Sequence, residues 1–225
     1  MKTTPLFSFR AKVTIAILVS LLFVAMLSDF LIYRLSLEFQ FEQLRKNLMT
    51  LARTCALMVD AETLREVPLI RQGVSSAAYQ DIALVLRRIK LANPEILFIY
   101  TLKPAEEADN WQFIVDPDPV SKGRGATQPT AFPGDKYDAS RFPQMLEAVS
   151  AATADRKLMT DEWGVTLSGY APVMDKSGQV IAVLGIDLLA KEVYAQQKEL
   201  NRRAKMVLAA GILLSLLLGF GVSQR

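Results

Sequence analysis

Two long apolar runs constrain this chain more than any other feature. Residues 13–27 are apolar except for Thr14 and Ser20, and the run resumes after Asp29 through Phe30, Leu31, Ile32 and Tyr33. Residues 206–222 form the second run, interrupted only by Ser215 and by Gly211, Gly219 and Gly221. A helix crosses a bilayer with about 20 mostly apolar residues, within a range of about 17–25. Both runs reach that range. The first exceeds the roughly 7–15 apolar residues of a signal peptide, and no small-residue cleavage pattern follows it. An uncleaved anchor is therefore expected. Lys2, Arg10 and Lys12 precede it without an acid, which keeps the N-terminus in the cytoplasm. Two spans return the C-terminus to the same side. Arg202, Arg203 and Lys205 flank the second span from the outer side, against the charge rule, which loses force across loops longer than about 60 residues.

The 51% hydrophobic content is concentrated in those runs, and the formal net charge is only +3. Basic residues are not gathered with interleaved aromatics, so nucleic acid is not an expected partner. The chain has no histidine and one cysteine, Cys55. A zinc site of the usual His/Cys kind is excluded, as are Ser–His–Asp and Cys–His catalytic units. No paired carboxylates stand in an evident motif. The expectation is a protein that is not an enzyme and carries no metal or cofactor.

Seven segments follow. Residues 1–10 are a cytoplasmic N-terminus, 11–33 a first transmembrane helix, and 34–66 a long helix. Residues 67–191 form a domain outside the cytoplasm, 192–204 a linker helix, 205–222 a second transmembrane helix, and 223–225 a cytoplasmic tail. In the long helix, Leu37, Phe41, Leu44, Leu48, Leu51, Cys55 and Met58 recur at alternating steps of four and three. That is a short heptad seam. Two readings stand: a face laid on the chain's own domain, or a seam that pairs two copies into a homodimer, with Cys55 facing its twin. In the second span Gly211, Ser215 and Gly219 recur every four residues, a spacing that lets helices approach closely.

Within the outer domain, Ile82, Leu86 and Ile89 share one face of a helix over about 76–92, stopped by Asn93-Pro94. Strands are expected at 96–102, 111–115, 165–174 and 179–188, the last two joined by Asp175-Lys176-Ser177-Gly178. A short helix is expected at about 140–152. The pattern reads as an α+β domain around one antiparallel sheet.

The terminal hairpin is the most distinctive stretch. Ser168-Gly169-Tyr170-Ala171-Pro172-Val173, the turn to Gly178, and Val183-Leu184-Gly185-Ile186-Asp187 resemble the last two strands of bacterial extracellular Cache sensor domains. Those are PAS-like domains of chemoreceptors, sensor kinases and diguanylate cyclases. Thr160-Asp161-Glu162-Trp163-Gly164 resembles a lead-in seen in some members. The resemblance covers about residues 35–195. It implies a sheet of five or six strands, a pocket on the membrane-distal side, and a dimer joined along the N-terminal helices. It also implies a sensory input module in the bacterial inner membrane, its domain in the periplasm or outside the cell, with a small-molecule ligand such as an amino acid, organic acid or amine. Members usually continue into a further segment and an output domain, and a fragment and a stand-alone subunit both remain open. A protein-interaction module without a small ligand is the alternative function.

Alternation places Thr166, Ser168 and Tyr170 on one strand face, and Val183, Gly185 and Asp187 on one face of the next. A pocket wants apolar walls and a few placed polar groups. Tyr100, Asp116, Tyr137, Arg141, Trp163, Tyr170 and Asp187 are the candidates to supply them. Each also has a structural reading: Asp116 as a turn residue before Pro117, Trp163 and Tyr170 as core aromatics. Arg141 would suit a carboxylate, unless Asp138 or Glu147 occupies it.

Overall fold

The computed structural model describes residues 9–105, 110–118, 131–161 and 164–189, and residues 202, 206, 209 and 211. The chain divides into two units, one holding the residues up to Phe41 and the other spanning Glu42–Tyr194.

Helix α1 (Phe9–Ala56) runs unbroken for 48 residues, about 72 Å at 1.5 Å per residue. No glycine or proline lies within it. Its first half is long and apolar enough to cross a membrane. Ile17, Leu21, Phe23 and Phe30 stand exposed there, as lipid contact requires. Thr14 and Ser20 donate their hydroxyls to the carbonyls of Arg10 and Ala16, at 3.0 and 2.8 Å. Their polarity is thereby satisfied within the helix. The second expected span lies almost wholly outside the described residues, as do Ser215 and Gly219 of its proposed packing face; Gly211 alone of that face is described.

After α1 the chain turns through α2 (Ala61–Arg65), capped by the Asp60 carboxylate, which accepts from Thr63 N–H at 2.7 Å. Helix α3 (Ala77–Ala92) begins at Ser76, whose hydroxyl oxygen accepts from Tyr79 N–H. It buries Tyr79, Ile82, Leu86 and Ile89. The long helix expected over 34–66 is thus two helices. Its break falls at residues 57–60, where Asp60 offers the backbone a cap in place of another helical turn.

The sheet comprises β1 (Ile96–Pro104), β2 (Asn110–Val115), β3 (Lys136–Asp138), β4 (Thr153–Ala154), β5 (Met159–Asp161), β6 (Gly164–Met174) and β7 (Val180–Leu189). Its order is β3-β2-β1-β7-β6-β4, with β5 also paired to β6, and every pairing is antiparallel. Among the described residues there are seven strands rather than five or six. The excess consists of pieces of two or three residues. The expected helix over 140–152 shrinks to α4 (Pro143–Glu147). Thr153 is drawn into the sheet opposite Tyr170, and its hydroxyl donates to Gln144 O at 2.6 Å.

The two faces of the sheet differ. One carries Leu167, Leu184 and Ile186, fully buried, and α1 lies on it. A Cβ at Gly169 would fall 2.5 Å from Leu48 Cγ, so the close approach of α1 to β6 depends on this glycine. Leu48 and Cys55 are buried, at 2% and 3% exposure. Those two positions of the seam are packed within the chain's own domain. Burial also pushes the Cys55 thiol up to about 11, so it is not a poised thiolate. Leu37, Phe41, Leu44 and Leu51 are half-buried. Met58 lies beyond the helix end and is exposed.

Candidate ligand site

The other face of the sheet is aromatic. Phe98, Tyr100 and Leu102 alternate on β1, Trp111 and Phe113 on β2, and Tyr137, Phe142, Met145 and Tyr170 complete the cluster. Tyr100 and Phe113 meet edge to face at 5.6 Å between centroids, and Phe113 and Tyr137 at 5.9 Å. That arrangement suits the ring quadrupoles. Tyr100 lies flat over β7 because residue 185 has no side chain. A Cβ there would fall 2.3 Å from Tyr100 Cε2.

A cavity opens among these rings, lined by Phe98, Tyr100, Phe113 and Tyr137 together with Asp116, Asp161 and Asp187. Its volume is about 20 Å³, room for about one water. Two more open hollows, about 240 and 230 Å³, border α2 and the β6–β7 hairpin, and neither has an aromatic wall.

Each carboxylate on the wall is held. Asp187 Oδ1 accepts from the Tyr100 hydroxyl at 3.0 Å, and the Ser168 hydroxyl, opposite it in the sheet, also favours the ionised form. Burial pushes the Asp187 carboxyl up to about 7 against both, with Asp161 and Asp155 adding repulsion. Asp161 Oδ2 accepts from the Tyr137 hydroxyl at 2.9 Å, and Oδ1 from Gly164 N–H at 3.2 Å. Asp116 accepts from the N–H groups of Asp118 and Ala131, at 2.9 and 3.3 Å. Burial raises its carboxyl to about 7 as well. Asp116 is therefore a turn residue and a wall residue together. Its carbonyl also accepts from the Tyr79 hydroxyl of α3. A fourth acid, Asp155, is fully buried behind the wall; desolvation raises it to about 7. No Lys or Arg lines the cavity among the described residues. Lys90 is the cation near Phe98, 5.5 Å from the ring centroid, and Asp118 holds it at 2.9 Å.

Of the residues singled out from the sequence, Tyr100, Asp116, Tyr137 and Asp187 line the cavity. Tyr170 is buried in the aromatic cluster beside it. Trp163 lies outside the described residues. Arg141 does not reach the cavity: it is exposed, and its Nη2 donates to Thr160 O at 2.9 Å, bracing β5. Phe98, Phe113 and Asp161 were not singled out. Phe98 was within reach, since it alternates with Tyr100 on one strand. Among the described residues no group of three or more His, Cys, Asp or Glu side chains is arranged to hold a metal ion.

No family model and no curated protein matches the sequence. Solved structures do match in fold. The ligand-binding domain of the Campylobacter jejuni chemoreceptor Tlp3 in complex with L-valine is similar at a TM-score of 0.51 and 12% identity, over 80% of this chain and 65% of that one. The sensory domain of Tlp3 with isoleucine bound gives the same TM-score and identity, over 80% and 64%. The chain thus spans slightly less than two thirds of those chains. At this identity the likeness is one of fold: a mixed domain with a long N-terminal helix and an antiparallel sheet, as in chemoreceptor sensory domains.

Proposed function

We propose that Glu42–Tyr194 is an extracytoplasmic sensing domain of the single Cache type, taking a small molecule that carries an ammonium group. The observation that supports this best is the cavity wall. Asp116, Asp161 and Asp187 meet four aromatic rings there, with no cationic side chain among the described lining residues. Once ionised, as Asp116 and Asp187 are above about pH 7, carboxylates supply charge-assisted acceptors for an N–H donor, and ring faces attract a cation. An organic acid without an amine finds no counter-charge among the described wall residues. An amine or an amino acid does. The Tlp3 domain of similar fold was solved with L-valine and with isoleucine, ligands of that chemistry. The chain is anchored in the bacterial inner membrane through α1 and a second span, with this domain in the periplasm. Ligand binding biases the second span by its differential affinity for two conformations. The buried polar groups of the cavity favour this reading over a protein-interaction module.

Melting curves of the full chain in detergent micelles with isobutylamine, L-valine or isovalerate test it. The first two should raise the melting temperature and the third should not. Saturation at about 100 times the Kd adds about 2.7 kcal/mol to the folded state. Stabilisation by isovalerate alone would reverse the charge assigned to the site. Silence from all three, and from a wider amine panel, favours the interaction module.

A further inference from the structure

The pocket is joined to α1 by one cross-strand pairing and a run of hydrogen bonds. Asp187 on the cavity wall stands directly opposite Ser168 of β6 in the sheet register. The Ser168 backbone N–H donates to Asp155 Oδ2 at 3.1 Å, and Asp155 N–H donates to Ser168 O at 2.8 Å. The Asp155 carbonyl in turn accepts from Arg45 Nε of α1 at 2.7 Å, and the Ala154 carbonyl from Arg45 Nη2 at 2.9 Å. Glu42, three residues earlier on α1, fixes the guanidinium by an ion pair at 2.7 Å. The guanidinium fork thus clasps two successive carbonyls at the edge where β4 ends.

Two further features set this clasp apart from an ordinary surface contact. Asp155 is fully buried, and its Oδ1 has no hydrogen-bond partner. An unsatisfied buried carboxylate oxygen costs stability. Leu48, three residues beyond Arg45 and on the same helix face, rests against Gly169, the residue after Ser168. Helix and strand therefore meet at two adjacent points, both next to the Ser168–Asp155 bond.

We propose that Arg45 is a positioning residue which, through Asp155 and Ser168, couples the pocket carboxylate Asp187 to α1. The proposal rests on the pocket being the ligand site. Ligand uptake at Asp187 then acts on the N-terminal helix directly, in addition to any effect through the chain after β7. Arg45 touches no ligand. A guanidinium that only satisfies two edge carbonyls would stabilise the domain without linking Asp187 to the helix.

Cys55 supplies the readout. It is the chain's one cysteine and is buried on the face of α1 that Arg45 and Leu48 share. The full chain in detergent micelles, with no ligand added, is labelled with N-ethylmaleimide. Asp187→Ala removes the acceptor for Tyr100 and the carboxyl opposite Ser168, and should raise the labelling rate of Cys55 by about fivefold. In an Arg45→Met background the starting rate should be higher, and Asp187→Ala should change it by less than about twofold. Equal factors in both backgrounds overturn the coupling, as does a wild-type rate that ignores Asp187→Ala. If Arg45→Met lacks a cooperative melt, Arg45→Lys decides. It keeps the charge and cannot span both carbonyls, so its response should fall between, and a wild-type response overturns the proposal. Because no ligand is present, a failed coupling does not touch the melting shifts with amines, and absent melting shifts do not touch the coupling.

Discussion

At the scale of single residues, two positions govern the cavity. Gly185 lets the Tyr100 ring lie on β7 at a distance no side chain would tolerate. Gly185→Ala should push the ring away and destabilise the domain by about 1–3 kcal/mol, read as a lower melting temperature with amine binding weakened or lost. Asp187 governs the pH response. In the folded chain its carboxyl keeps a proton up to about pH 7, because burial disfavours the charged form. In the unfolded chain it ionises near pH 4. The stability it contributes is fully present below about pH 4 and is lost as pH rises to 7, on the order of 4 kcal/mol for a shift of about three units. Asp116 and Asp155, also raised to about 7, act with the same sign. Asp175 is pushed down to about 2, led by its bond from Ser177, and acts oppositely, but only below about pH 4. The ligand-free chain should therefore melt higher at pH 5 than at pH 8, and Asp187→Asn should shrink that difference. Equal melting at both pH values would show that the wall acids do not hold protons. Tyr100 and Tyr170 stay neutral throughout, since burial holds both hydroxyls well above their usual range.

At the scale of elements, helix caps give the cleanest tests. Ser76→Ala removes the acceptor for Tyr79 N–H and should cost about 1 kcal/mol, visible as a lower melting temperature with the ligand site intact. A larger loss would mean that the cap also fixes Tyr79, whose hydroxyl donates to Asp116 O. The same elements show what the sequence makes legible. α3 and the β6–β7 hairpin are long, periodic and bounded by strong punctuation, Ser76, Asn93-Pro94 and the Asp175–Gly178 turn. Each is found close to where its pattern puts it. Strands β3, β4 and β5 are too short to show a period, and only pairing with β2 and β6 makes them strands. In the site, face alternation puts Tyr170 and Asp187 on one side of the terminal hairpin, and in the structure both lie on the aromatic side, because β6 and β7 are long strands. Arg141 and Asp161 trade roles for a tertiary reason: β5 turns Asp161 toward Tyr137, while Arg141 is left outside holding a β5 carbonyl. The seam on α1 has the right period, but a period does not say which partner the face meets. Here Gly169 brings the sheet close enough to take Leu48 and Cys55.

At the scale of the whole molecule, the proposed topology predicts that an alkaline-phosphatase fusion after Leu189 is active in a bacterial host and one after Arg225 is inactive. The opposite pattern would place the domain in the cytoplasm and remove the sensor reading. The order of the sheet carries a separate consequence for how the protein is made. β1 lies between β2 and β7, and β7 between β1 and β6, so the last of the described strands fills the centre of the sheet. Until Val180–Leu189 leaves the ribosome, β1 has an open edge and β6 lacks its longest neighbour. Non-local pairing of this kind closes slowly, because loop entropy is lost before contacts compensate it. A nascent chain therefore has no half-folded resting state on the way. It stays open, able to thread through a secretion channel and vulnerable to proteases, and it closes in one late step. A chain cut before Val180 should be degraded rather than accumulate as a smaller domain.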